Sequence, residues 1–160
     1  MCNNCKECTC KQKLRGFEVV ADEFRKHEGE IKLPQKGTKT AMAYDFYSPI
    51  DLVIESNQIG KIWTDVKAYM KGDEGLILNV RSSQGGKVML ANTSGWVDSD
   101  YYSNKGNDGN IGIFLKNIGD EPYVIKKGDK IAQAIIKSYY TTENDETIEE
   151  RTGGLGSTTK

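Results

Sequence analysis

Short β-type runs, set apart at close intervals by glycine, asparagine and aspartate, constrain this chain more than any other feature. Leu14–Val20, Asp51–Glu55, Lys61–Met70, Leu76–Val80, Lys87–Leu90, Asn110–Leu115, Tyr123–Ile125 and Ile131–Ile136 are rich in branched or aromatic residues. In Lys61–Met70 the set Ile62, Thr64, Val66, Ala68 and Met70 alternates with its neighbours, the two-residue period of a strand with one buried face. Only Ile131–Tyr140 also reads as a helix, and its Ile-Ile pair and double Tyr favour a strand. Many short strands with regular turn signals predict a sandwich, jelly roll or barrel.

A length of 160 residues suits one domain with its own core. The net charge of −1 gives no basic stripe for nucleic acid. No apolar run approaches the roughly 20 residues that span a bilayer, and no signal peptide is readable. A cytoplasmic protein is expected. All four cysteines, Cys2, Cys5, Cys8 and Cys10, fall in the first ten residues, so no disulfide staples the body. Their spacing also suits a thiolate site for Zn²⁺ or a cluster, although no loop separates two pairs as in most zinc modules. Three regions follow: a polar tail (1–12), a β-rich body (13–140) and a polar, glycine-rich arm (141–160) with little to bury.

Five segments carry groups with chemistry. Thr40–Ser48 sets Asp45 among small and aromatic residues, where an aspartate also serves as a turn former. Arg81, Ser82 and Ser83 follow an apolar run and offer a charged fork and hydroxyls to phosphate, or a solvated loop end. Asn92–Tyr101 combines an amide, Gly95, Val97, the carboxylates Asp98 and Asp100, and Tyr101. It reads as a base-and-sugar site or as a polar hairpin whose Tyr101 packs on a sheet. Lys127–Gln133 turns into a strand that presents Gln133. Arg151–Thr158 has glycines whose N–H groups can wrap an anion, with Gly156, Ser157 and Thr158 beside Arg151, or it is a linker end. It lacks the P-loop spacing. His27 is the sole histidine and reads as a surface residue, which leaves no Ser–His or Cys–His dyad.

In this order the five segments resemble the five motifs of the trimeric dUTPase family, over roughly residues 14–159. Asp98-Ser99-Asp100-Tyr101, with Asn92 and Gly95 before it, is the most specific part. The resemblance implies an all-β, jelly-roll-like distorted barrel. It implies a homotrimer with shared sites: the first, second and fourth motifs from one chain, the third from another, and the C-terminal arm from the last. It implies Mg²⁺-assisted hydrolysis of dUTP to dUMP and pyrophosphate, an activity that sanitises the nucleotide pool. Residue by residue, Asp98 would orient the attacking water and Tyr101 would pack on the deoxyribose. Asn92 and the hairpin backbone through Gly95 and Val97 would read uracil. Arg81, Ser82, Ser83 and Gln133 would contact the phosphates, and Asp45 would approach Mg²⁺ through waters. Arg151, Gly156, Ser157 and Thr158 would close over the outer phosphates.

The chain departs from the family pattern in three places. Leu155 stands where the family carries a phenylalanine that stacks on uracil, and Ile111 or a residue near it is then expected to cover the base. Residues Tyr102–Asp108 lengthen the loop after the third motif. The cysteine tail has no counterpart. The competing readings are a dCTP deaminase of the same fold, which would carry a glutamate base near Asp98, and a nucleotide-binding regulator that acts through a protein partner.

Overall fold

A computed structural model describes residues 13–154; the four cysteines, Leu155, Gly156, Ser157 and Thr158 lie outside the described residues. Twelve strands run in chain order among them: β1 (Gly16–Val19), β2 (Gln35–Lys36), β3 (Tyr44–Tyr47), β4 (Leu52–Ile54), β5 (Ile59–Trp63) and β6 (Val66–Tyr69), then β7 (Glu74–Asn79), β8 (Val88–Leu90), β9 (Gly95–Asp98), β10 (Gly112–Asn117), β11 (Tyr123–Ile125) and β12 (Lys130–Ser138). The helical elements among them are single 3-10 turns at Asp22–Phe24, Ser82–Gln84 and Ser99–Tyr101. Every strand pairing is antiparallel.

The largest sheet has the order β2-β3-β12-β7-β9, beside a three-stranded sheet β5-β10-β8 and the pairs β1-β6 and β11-β4. The strands wrap a core of Phe46, Ile54, Ile62, Leu76, Ile113 and Leu115, each at most 2% exposed. Alternation explains which residues enter it. In β7 Leu76 and Leu78 are buried, whereas Ile77 between them is half-buried on the outer face. The result is an all-β distorted barrel. Of the stretch Ile131–Tyr140, which also reads as helix, residues 131–138 lie in β12, and Tyr139 and Tyr140 follow its end.

The run Lys61–Met70, read as one strand, is two. The chain breaks at Asp65, whose φ of 56° lies in the left-handed region, and passes from the sheet of β5 to the sheet of β6. Asp65 is fully buried, and its carboxylate accepts the backbone N–H groups of Lys26 and His27 (2.9 and 2.8 Å) and Asn110 Nδ2 (2.8 Å). A carboxylate capping three donors holds a backbone kink that the hydrophobic alternation alone does not reveal. His27 is half-buried beneath the same kink, with its Nε2 2.9 Å from the Trp63 carbonyl oxygen.

Candidate active site

The residues marked by the sequence gather into two groups at opposite ends of β7. The first forms around Asp45 on β3. Gln133 on β12 lies opposite both Asp45 and Asn79, the last residue of β7. Arg81 follows two positions later, and its Nε donates to Asp45 Oδ1 at 2.8 Å. Lys130 Nζ sits 2.7 Å from the other oxygen, Oδ2. Lys130 and Gln133 are an odd number of residues apart and would face opposite ways in a regular strand. The register shift of β12 between Lys130 and Ala132 inserts one residue and brings both toward Asp45.

Gln84 secures this arrangement. It is 3% exposed, its Nε2 donates to the Ile131 carbonyl at the irregularity (3.1 Å), and its Oε1 accepts the Arg81 N–H (2.9 Å). Ser82 and Ser83 are exposed on the same turn, with Arg81 Nη1 3.5 Å from Ser83 Oγ. A groove of about 450 Å³ opens here, edged by the cations Arg81, Lys87 and Lys130.

The second group surrounds a narrow cleft of about 120 Å³ bordered by Asn92, Gly95, Asp98, Tyr101, Ile111 and Arg151. Thr93, at φ 64°, turns the hairpin into β9. Gly95 is there for space: a Cβ on it would sit 3.0 Å from the Leu78 side chain. Tyr101 is 8% exposed, and its hydroxyl is fixed from two sides, donating to the Asn110 carbonyl (3.0 Å) and accepting from Asn107 Nδ2 (2.6 Å). Burial raises the pKa of this hydroxyl. Ile111, at 1% exposure, forms part of the cleft wall.

Arg151 lies across the mouth. Its guanidinium donates to Asp98 Oδ2 and, at 2.8 Å, to Asp100 Oδ1, and its Cζ is 5.6 Å from the centre of the Tyr101 ring. In this single chain Arg151 lies against its own third segment. Asp98 and Asp100 form a two-carboxylate fork that suits a guanidinium.

Strand register fixes how the two groups relate. Asp45, Gln133, Ile77, Trp96 and Asp98 share the outer face of the large sheet, with Ile77 opposite Trp96 and Gly75 opposite Asp98. Asp98 is therefore about 13 Å from Asp45 along the strand direction and about 14 Å across three strand spacings. One chain does not bring both carboxylates to one reacting atom. Of the residues that organise the groups, Lys130, Gln84 and Asn107 were given no role from the sequence, and Asp100 was named only as one of a carboxylate pair. Lys130 falls inside the fourth segment, so a signal was present for it. The roles of Gln84 and Asn107 depend on an irregular strand and a folded loop.

A narrow cleft over a fixed tyrosine with a carboxylate at its mouth suits a ring, and the cationic groove at the other end of the same sheet suits anions. Together they define an all-β nucleotide-binding protein. Residues 29–159 match the dUTPase family. The deoxyuridine 5'-triphosphate nucleotidohydrolase of Lactococcus lactis subsp. lactis (strain IL1403) is 37% identical over 150 residues, which cover 91% of this chain and 98% of that protein. The mouse protein of the same name is 34% identical over 158 residues, covering 95% and 93%. The crystal structure of dUTPase from Streptococcus mutans superposes with a TM-score of 0.72 at 32% identity, covering 81% of this chain and 99% of that one. The chain belongs to the dUTPase family. The deaminase alternative is not favoured: its glutamate base is replaced by Asp98, and the family match is to dUTPases.

Proposed function

We propose that this chain is a dUTP diphosphatase that cuts Mg²⁺-bound dUTP to dUMP and pyrophosphate, as a homotrimer in the cytoplasm. The observation that carries this reading is the narrow cleft over the fixed Tyr101 with Asp98 at its mouth. A uracil ring entering the cleft meets Asn92 and the β9 backbone, whose donors and acceptors match uracil and mismatch cytosine. The deoxyribose then rests on Tyr101, which leaves no space for a 2′-hydroxyl.

Asp98 holds a water against the α-phosphorus and takes its proton as the new P–O bond forms. The bond from that phosphorus to the bridging oxygen breaks, and pyrophosphate leaves. Arg81, Ser82, Ser83 and Gln133 receive the phosphate chain. Arg151 exchanges its carboxylate partners for the outer phosphates, joined there by Gly156, Ser157 and Thr158.

The chain fits a metal carried in by the substrate. Among the described residues no cluster of three or more His, Cys, Asp or Glu could hold an ion, and both Asp45 oxygens already face cations. Asp45 would therefore hold Mg²⁺ only through its waters, in keeping with an ion that dehydrates reluctantly and prefers phosphate oxygens. The ion supplies charge neutralisation of the pyrophosphate leaving group.

The separation of the Asp45 and Asp98 groups supports a site shared between chains. The outer face between them bears Trp96 (78% exposed) and Ile77, an apolar surface suited to a second copy. The test is pyrophosphate release from dUTP, dTTP, dCTP, dATP, dGTP and UTP with Mg²⁺. Turnover confined to dUTP is expected, and comparable hydrolysis of dTTP, dCTP or UTP overturns the reading.

A further inference from the structure

We propose that Asn104 and Asn107, in the loop that lengthens the third segment, are positioning residues that set the choice of deoxyribose over ribose by holding the Tyr101 ring rigid from behind. This rests on the reading above that the sugar lies on Tyr101.

An apolar wall rejects an added hydroxyl only weakly in general, so the strength of the rejection depends on how little the wall gives way. Tyr101 is tethered where its ring would move most. A ring that swings about its bond to the backbone carries its hydroxyl through the widest arc. That hydroxyl donates to the Asn110 carbonyl (3.0 Å) and accepts from Asn107 Nδ2 (2.6 Å). Asn104, 7% exposed, holds the near end, its Nδ2 donating to the Tyr101 carbonyl (2.7 Å).

The two asparagines are also joined to each other. Asn104 Nδ2 donates to Asn107 Oδ1 (2.7 Å), and Asn104 Oδ1 accepts the Asn107 N–H (3.1 Å). Asn107 Oδ1 takes the Gly109 N–H as well (3.1 Å), and its Nδ2 reaches the Asn110 carbonyl (3.2 Å). Both donors and both acceptor sites of the Asn107 amide are therefore in use, so it cannot turn without breaking several bonds at once. The backbone brings the clasp into place. Ser103, Asp108 and Gly109 adopt φ of 54°, 56° and 82° and turn the chain back on itself. It returns so closely that a Cβ on Gly109 would lie 2.8 Å from the Tyr101 carbonyl oxygen. Asp108 pins the loop to the barrel, accepting the Ala21 N–H (2.7 Å) and pairing with Lys67 (2.8 Å). The added loop residues thus form the back of the sugar wall.

The test measures kcat/KM for dUTP and for UTP, the latter at high enzyme concentration, in full-length wild type, Asn107→Leu, Tyr101→Phe and the double variant. Asn107→Leu keeps the side-chain volume and removes every hydrogen bond of the amide. It is expected to narrow the preference for dUTP over UTP on the order of 10-fold, about the worth of one hydrogen bond. UTP turnover should rise while dUTP turnover stays within a few-fold of wild type. A purely structural role would lower both substrates together and leave their ratio unchanged. Tyr101→Phe leaves the loop intact and removes the tethered hydroxyl, so it should narrow the ratio at least as much, even if Asn107→Leu does not fold. The double variant should match Tyr101→Phe, because Asn107 acts through that hydroxyl. An unchanged ratio in either single variant, or a full further narrowing when Asn107→Leu is added to Tyr101→Phe, overturns the proposal. Wild type that turns over UTP as readily as dUTP instead overturns the prior reading of Tyr101 as the sugar platform.

Discussion

Asp98 shows how a surface carboxylate is prepared for chemistry by its neighbours. Its partner in the free chain is Arg151, which Asp100 also holds. Substituting Asp98→Asn removes the base and retains most of the cleft. Turnover is expected to fall by about 10² to 10⁴, while a titration with a non-hydrolysable dUTP analogue shows affinity within a few-fold of wild type. Near-normal kcat would remove Asp98 from the role of base. Asp65 plays a structural part of the same chemical kind, buried and capping three donors. Asp65→Ala strands those donors and is expected to destabilise the fold by roughly 3–5 kcal/mol, read as a lowered midpoint in urea unfolding. At this scale the sequence was informative for Asp98, Tyr101, Asn92 and Arg81, because their type and order carry the chemistry. It was silent on Asp65, whose value comes from partners 38, 39 and 45 positions away.

Among the elements, the loop Tyr102–Asn110 offers a pH signature. Burial is the largest influence on the Asp108 carboxylate and works to raise its pKa, but Lys67, the Ala21 amide and Ser103 together outweigh it and lower the pKa. A lowered folded pKa means that the stabilisation is present above the ordinary aspartate value of 3.8 and is lost as pH falls through the lower folded value. Hydrogen exchange in residues 102–110 is therefore expected to quicken below pH 3.8 ahead of the core, and Asp108→Asn should remove that acid step. Exchange that tracks the core at every pH would sink the idea. The strands themselves were largely legible, since short branched and aromatic runs between turn formers mark β7, β10 and β12. The kink between β5 and β6 was not, because Ile62, Thr64, Val66 and Ala68 keep their burial alternation across it while the chain changes sheets. The irregularity of β12 was equally hidden, since Ile131 and Ala132 are both buried where a regular strand would bury one.

For the whole molecule, the position of Asp45 and Asp98 at opposite ends of β7 predicts complementation. Arg81→Ala and Asp98→Asn should each be nearly inactive alone. Trimers reassembled from an equal mixture should recover about a quarter of wild-type turnover, because random assembly pairs an intact first group with an intact second group in one site out of four. No recovery after verified subunit exchange would place both groups of each site on one chain. The cysteine tail precedes every motif, so removal of residues 1–12 is expected to leave turnover and sedimentation unchanged. The two-ended β7 has one more consequence. A chain that holds half of each site at either end of one strand is silent on its own. Its specific activity should then collapse on dilution below the assembly constant, with the initial rate rising more steeply than the first power of enzyme concentration.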